Sequence, residues 1–595
     1  MTDNYEFMRS SESQNIDEYT PYTNKQFNFV NDTNSSVYSS AGLSLVQFDL
    51  SSIYNSQTFV DTNDMFLVIP LVTVAAFGTA ALGGATVAPV AGNFALTSLK
   101  SSYLNLIHQC DLSIDGKTIE STQPYQNIPC NFRMMSEMSI GDQKTMGPTF
   151  GFSEVLDSPN SCLFNNLGPA SNAVPYRGNG FTNNLPFSSI AAGFGSSSQG
   201  TIGPQNKNCI NEATQRRLGR TVDLSATGTA LAAELKNNFA AIIGTGNQSG
   251  TELRPYYTTS GNYMIWYDTA VIKLSSIMDS FAEVGLCKKF NGNLRIWLNT
   301  GSLNVAVGGA GVIDTVQYTI TNTNSTFTNT CPLMINHLNN APGLGGLPTT
   351  TTNIVAGLFI GTATQTTVGP SGISLSASGA SHALRSCRIY YSQVSISLPK
   401  AISYITENRS KTVRFRNMVM QPYYNIAAGS TINQLVSSGI VNPLGILIVP
   451  FISPSSNGIA LTSTNLTQYG SPFDSAPLTT APISLTNLQV AIGGQNQLND
   501  TLFYGFQHFV EQVSLAENLT SADWGISCGL FSQQWWETFR YYYINVSRSD
   551  GADKKTPRNV NLSFINNSAV IIEVMVFVIF ADSFVIDVET GNVTR

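Results

Sequence analysis

The strongest constraint on this chain is that its elements recur, in the same order, in its front and back portions. An early alternating run, LVQFDL (45–50), has a later counterpart in TVRFRN (412–417), and FLVIPL (66–71) matches LIVPF (447–451). LSIDGKTI (112–119) matches VAIGGQNQL (490–498); in both, an alternating strand runs into a glycine turn, at Gly116 or Gly494. Each is followed by a short helical stretch carrying an acid, FRMMSEMS with Glu137 and FQHFVEQVS with Glu511. Next, YMIWYDTAVIKL (263–274) stands against WWETFRYYYINV (535–546), NLRIWLN (293–299) against NLSFINN (561–567), and CRIYYSQVSISL (387–398) against AVIIEVMVFVIF (569–580). Short apolar strands resemble one another by chance, so any one pair is weak. Ordered recurrence of seven elements is the mark of an internal duplication.

The offset between the copies shows where they differ. It is about 370–380 residues for the first four pairs, about 270 for the next two and about 180 for the last. The first copy therefore carries two large insertions, at about 141–262 and 300–383, both rich in Gly, Asn, Thr and Ser as loops are. The expected organisation is an N-terminal arm over 1–40, a first unit with both insertions over 41–399 and a second unit over 400–595.

Short Val/Ile/Phe/Tyr/Thr runs separated by Asn/Gly/Ser/Pro breakers make the class all-β, two tandem sandwiches. Helical stretches are few: FRMMSEMS, SSIMDSFAEVG, ALAAELKNNFAAI and GFQHFVEQVSLAENL. Inter-strand loops of a sandwich gather at its ends, so the insertions are expected to stack there as a tower. Residues 65–99 lack charge and are long enough to span a bilayer. Pro70, Pro89 and the glycines at 78, 83 and 84 favour a buried strand followed by a loop.

Charged residues are 11% of the 595, well below the usual share of about 25%. With 42% hydrophobic residues this is not the composition of a disordered chain. So few charges suit a surface wetted by hydroxyls and amides, or one hidden in an assembly. The net charge of −7 and the acidic first 25 residues offer no basic arm to neutralise nucleic acid. No charged segment leads into an apolar run of signal-peptide type. The eight cysteines, at 110, 130, 162, 209, 287, 331, 387 and 528, include no C-x-x-C pair and read as free buried thiols.

Chemistry-bearing motifs dissolve on inspection. GISCG (525–529) has the form of a nucleophile elbow around Ser527, but His108, His337, His382 and His508 all precede it. DGKT (115–118) has Asp111 where a phosphate loop needs glycine, and reads as a hairpin turn. DTND (61–64) lacks the glycine and distal Glu of a calcium loop and reads as a turn. No catalytic, cofactor-binding or metal-ligating residue is singled out, so no enzyme is expected and no cofactor is implied. WWETFRYYYINV, with Arg540, Arg548, Lys554, Lys555 and Arg558 nearby, could form a ligand platform; its place in the repeat makes it a strand packed in a core or interface. Alternation would put Trp536, Thr538, Arg540, Tyr542 and Ile544 on one face. The run 547–560 reads as a solvated loop or as a salt-bridging loop between subunits.

SLVQFDLSSIYNSQTFVDTNDMFLVIPLVTV (44–74), TAVIKLSSIMDSFAEVGLCKKFNGNLRIWLN (269–299), LTNLQVAIGGQNQL (485–498) and residues 535–580 resemble the corresponding segments of virophage major capsid proteins of the Sputnik type, a double jelly-roll family. The likeness is diffuse and spans most of the chain outside the insertions. It implies two eight-stranded jelly rolls per subunit, a homotrimeric capsomer of pseudo-hexagonal outline, and an icosahedral shell around double-stranded DNA. It also implies neighbouring capsomers, penton and minor capsid proteins as partners and host or giant-virus contact through loops. Genome contact would fall to other components, and assembly would take place in the host cytoplasm before the protein enters the virion. A β-sandwich attachment protein gripping a receptor or glycan is the competing reading, and a β-sandwich glycoside hydrolase the third.

Overall fold

Alternation decides which segments become strands. Along Gly292–Leu298, positions 292, 294, 296 and 298 are buried and those between are not; Ile107–Ile114 alternates in the same way. In a computed structural model of the chain, the described residues are 23–34, 38, 43–53, 58–78, 94–99, 102–122, 124–150, 221–223, 257–260, 263–308, 317–321, 332–335, 352–361, 384–453, 483–498, 503–515, 527–538, 540–547 and 556–594. All strand pairings among them are antiparallel.

The first sandwich has one sheet in the order β1 (Asn24–Asn31), β16 (Arg388–Ser395), β3 (Phe59–Gly78), β9 (Tyr263–Lys273). Its other sheet runs β2 (Ser44–Asp49), β11 (Gly292–Leu298), β5 (Ile107–Ile114), β6 (Lys117–Ser121). The second sandwich has β17 (Ser410–Ile426), β24 (Ile572–Asp587), β19 (Pro443–Ile452), β22 (Tyr542–Asn545) in one sheet. It has β18 (Thr431–Ile440), β23 (Arg558–Asn566), β20 (Leu485–Ile492), β21 (Gln495–Asn496) in the other. Counting these strands from one to eight along the chain, both sandwiches read 1-8-3-6 and 2-7-4-5. That shared order is the jelly roll, and its repetition makes the fold a double jelly roll. The fourth and fifth strands are joined in both copies by two residues of positive φ, Asp115 (51°) and Gly116 (73°) in one, Gly493 (57°) and Gly494 (83°) in the other. Such a pair matches the twist of a tight hairpin.

Three expectations need correcting. The counterpart of β17 is β1, not the run at 45–50, which is the second strand; β1 lies inside the stretch assigned to an N-terminal arm, yet pairs along its whole length with β16. The aromatic stretch is helical at its start, and only Tyr542–Asn545 is strand. Residues 61–64 form no turn: they belong to β3, where its register with β16 shifts.

The insertions are partly sheet. The far half of β3, Leu71–Gly78, pairs with β15 (Thr352–Ile360), which continues through β12 (Gly301–Gly308) to β13 (Gln317–Thr321). β8 (Tyr257–Ser260) pairs with β9, and β10 (Leu286–Cys287) with β3. A small sheet joins β14 (Leu333–Ile335), β4 (Phe94–Leu99) and β7 (Thr221–Asp223), and β25 (Val593–Thr594) borders β24. Residues 151–220, 224–256 and 362–383 lie outside the described residues, and with them the helical reading of ALAAELKNNFAAI. So does 79–93, within the apolar run; among the described residues no helix is long and apolar enough to cross a membrane. Among the described residues the α-helices are α1 (Asn127–Glu137), α2 (Ile140–Phe150), α3 (Ser280–Val284), α4 (Leu398–Glu407), α5 (Phe506–Ser514) and α6 (Gln533–Thr538). Side chains of both sandwiches join one continuous buried apolar cluster.

Candidate functional site at the junction of the two sandwiches

α1 and α5 hold the same place in their jelly rolls, between the fifth and sixth strands. On α1, Ile128, Phe132 and Met135 share one buried stripe. Phe132 reaches into the second sandwich, where its ring stacks on Tyr543 (centroids 5.4 Å apart) and lies 5.7 Å from both Tyr541 and Phe531 and 6.4 Å from Phe509. Aromatic contacts of this kind add about 0.5–1.5 kcal/mol each beyond area burial. Behind them Trp536, 1% exposed, donates its indole N–H to the Tyr541 carbonyl at 2.7 Å and carries the Arg540 guanidinium over its ring at 4.9 Å. The helical turn of α6 swings Trp536 inward among Tyr504, Phe506, Phe509 and Tyr542. Trp536 and Tyr541–Ile544 of the aromatic stretch are therefore core, and residues 548–555, with Arg548, Lys554 and Lys555, lie outside the described residues.

Backbone seals the same seam. Leu530 N–H donates to the Met135 carbonyl at 2.8 Å. Gly529 sits at φ +67°, and a Cβ there would stand 2.4 Å from the Met135 and Ser136 carbonyl oxygens, so only glycine fits. Farther along, Lys117 Nζ donates to the Val593 carbonyl (2.7 Å), Lys288 N–H to the Val588 carbonyl (2.9 Å) and Tyr404 Oη–H to the Leu286 carbonyl (3.0 Å).

Between the sandwiches lies an ionic knot. Arg133 of α1 pairs with Glu137 one turn on (3.0 Å) and with Asp279 (2.5 Å), just before α3. Arg416 of β17 crosses from the second sandwich to Asp279 (2.6 Å) and Glu137 (3.7 Å). The Asp279 side chain is 13% exposed. Burial pushes its pKa up, but Arg133 and Arg416 outweigh that and hold it below the usual carboxylate range. Glu120, buried at the end of β6, has no such guanidinium contact; burial drives its pKa up to about 8. The Cys130 thiol alongside is pushed by burial to about 12, which makes it inert as a nucleophile.

The motifs set aside in the sequence fall into structural roles. Ser527 Oγ accepts the Gly529 N–H at 3.2 Å, beside the seam. Lys117 belongs to the junction. Asp64 pairs with Lys25 of β1 at 2.6 Å and accepts from Ser392 Oγ at 3.1 Å, while burial and then the nearby Asp64 raise the Asp61 pKa. His508 Nδ1 accepts the Gly505 N–H, and burial takes the pKa of His108 down to about 4. Cys110, Cys130, Cys287, Cys387 and Cys528 are free and buried; Cys162, Cys209, Cys331, His337 and His382 lie outside the described residues. Among the described residues no group of three or more His, Cys, Asp or Glu side chains is placed to hold a metal ion.

No protein-family model matches the chain, and no curated protein matches it. Solved structures similar over most of its length include a chain of the Sputnik virophage determined by cryo-electron microscopy, at 10% identity and TM-score 0.47, covering 98% of this chain and 90% of that one. The Faustovirus major capsid protein is similar at 9% identity and TM-score 0.37, covering 97% and 93%. The mavirus major capsid protein is similar at 10% identity and TM-score 0.32, covering 98% and 93%. The repeated strand order, rather than these scores, defines the fold.

Proposed function

We propose that this chain is a viral major capsid protein, the repeating block of an icosahedral shell around double-stranded DNA. The observation that carries the reading is that two jelly rolls of one strand order are fastened into a single block by an aromatic, ionic and backbone junction. Three such blocks present six similar corners, which suits hexagonal tiling by closed symmetric contacts. A chain with 11% charged residues loses little when broad faces are desolvated, because buried unpaired charge is the costly part. Phe27 (60% exposed) and Phe29 (46%) on the edge strand β1, with Leu398 (72%) and Ile402 (57%) on α4, are apolar groups that neighbours in a shell would cover. Under this reading the partners are further copies, first in a homotrimer, then neighbouring capsomers, penton and minor shell proteins. The protein resides in the virion after assembly in the host cytoplasm, and the tower supplies any contact with a host surface.

Electron microscopy of the expressed protein tests this. Trimers that tile are expected, with trimer contacts above roughly 2,000 Å² in total. Native mass spectrometry finding only well-folded monomer at micromolar concentration would overturn it.

A further inference from the structure

The junction joins two like units through unlike surfaces. On the second roll the surface is the outward face of its 1-8-3-6 sheet. Met418, Ile579, Leu444 and Tyr543, one from each of β17, β24, β19 and β22, line a cleft whose far wall is α1 and Asp279 of the first roll. Covered on that side and packed on the other, the middle strands lose their alternation: residues 446–449 and 574–578 are at most 1% exposed. On the first roll the surface is the slot between the fifth and sixth strands, with α1. Each roll thus uses one of two surfaces and leaves the other free.

The free surface of the first roll is its own 1-8-3-6 face. There the register sets Phe29, Tyr390, Phe66 and Lys273 in a row, one from each of β1, β16, β3 and β9. The Phe29 and Tyr390 rings lie 5.5 Å apart, and Tyr390 stacks on Phe66 at 5.3 Å with the planes 6° apart. β16 alternates where β24 does not: Ile389 and Val394 are buried, Arg388 and Tyr390 only half-buried. The Arg388 guanidinium lies 4.4 Å over the exposed Phe29 ring, donates to Asn31 Oδ1 and Tyr390 Oη, and forms no ion pair among the described residues. The free surface of the second roll is α5, in the slot of α1. Its inner side buries Phe509 and Val513. Its outer side carries Glu511, also without an ion pair among the described residues, and four residues on Leu515, with Phe503 exposed just before the helix. Within the junction, Glu137 of α1 reaches Arg416 on the sheet face that α1 covers. The two free surfaces offer the same complement: an acid on the helix, a guanidinium on the sheet, and apolar groups around each.

We propose that the α5 side of one copy covers the Phe29–Tyr390–Phe66 row of a second copy, with Glu511 paired to Arg388, so that the junction inside each subunit is repeated between subunits. This rests on the shell reading and names the surfaces by which its trimer closes. A contact between unlike surfaces runs head to tail and makes a ring where the rotation closes. The ring then alternates one junction within a chain and one between chains.

Native mass spectrometry of the full chain at micromolar concentration tests it, with far-UV circular dichroism to confirm folding. Wild type is expected as trimer and Phe29→Asp as folded monomer. Arg388→Glu and Glu511→Arg should each raise the concentration at which trimers dissociate about tenfold or more, and the double variant should regain most of that loss. The rescue reads the pair itself and stands even if Phe29→Asp fails to fold. Undiminished trimers of folded Phe29→Asp, or a double variant weaker than both singles, would overturn the proposal and leave the shell reading intact. The first result would do so even if the row proved to be covered by the chain's own first 22 residues. Wild type found only as monomer would overturn both.

Discussion

The two jelly rolls share a strand order but not a size. β3 runs for 20 residues where its counterpart β19 has 10, and β9 for 11 where β22 has 4. The third and sixth strands of the first roll therefore run on past the sandwich, and β15, β12 and β13 build onto that overhang. Among the described residues of the second roll, no strand is built onto β19 and β22 in this way. The jelly roll here is thus defined by strand order and not by strand length, and elaboration is free wherever two neighbouring strands are prolonged together. At the slot between the fifth and sixth strands the two rolls differ in the part each plays at the join. In the first roll it opens with α1, which reaches outward; in the second it holds α5 and α6, which close an aromatic nest around the visiting Phe132. The copies are alike where each must fold and complementary where they must join.

Cutting that join is the most severe way to break the comparison. Phe132→Ala empties the aromatic nest from the first roll's side, and loss of a buried phenylalanine costs about 3–5 kcal/mol. If the rolls are two folding units held by this contact, calorimetry of the variant should separate one unfolding transition into two. A single transition at the wild-type midpoint would mean that Phe132 does not couple them.

A smaller effect separates the seam from the hairpin turns that both rolls share. Gly529→Ala adds a Cβ against two carbonyl oxygens at positive φ, whereas Gly494→Ala meets nothing within 4 Å at φ +83°. Both incur the strain of a left-handed alanine, about 1 kcal/mol. Only Gly529→Ala must also push α1 away, for a total of about 2–3 kcal/mol. Equal shifts of the denaturant midpoint for the two variants would show that the seam is not close-packed.

Much of this architecture is legible in the sequence, and the misses have physical reasons. Six matched pairs, from FLVIPL against LIVPF onward, fall on equivalent elements: the fourth and seventh strands alternate inward, the third strands and residues 572–578 are continuous buried apolar runs, and one pair is helical. The opening pair slipped by one strand because β1 buries no apolar face: NKQFNFVN lies at a sheet edge, with Phe27 and Phe29 facing outward. The start of WWETFR reads as strand by aromatic propensity, and tertiary packing of Trp536 turns it into a helix. At the junction, Arg133 and Glu137 stand four apart on α1, a spacing visible in the sequence. Asp279 and Arg416 are 137 residues apart and meet only through the fold.

Glu120 is the asymmetry with the gentlest signature, and its sign can be worked out. A carboxyl raised in the folded state from 4.5 to about 8 favours folding while it holds its proton. Its contribution is complete below about pH 4.5, shrinks as pH rises and is gone above about pH 8. Asp279 runs the other way: its depressed pKa contributes stability above the ordinary value of 3.8, which is lost only as pH falls below that value. These two windows do not overlap; His108, held down to about 4 by burial, adds an opposing slope below about pH 6.5, which cancels when Glu120→Gln is compared with the wild type. Glu120→Gln should gain stability on the wild type by up to about 1.4 kcal/mol per pH unit between pH 5 and pH 8. Denaturant midpoints of the two proteins that stay parallel from pH 5 to pH 8 would show that Glu120 is already paired, and with it that the junction has no unmatched carboxylate.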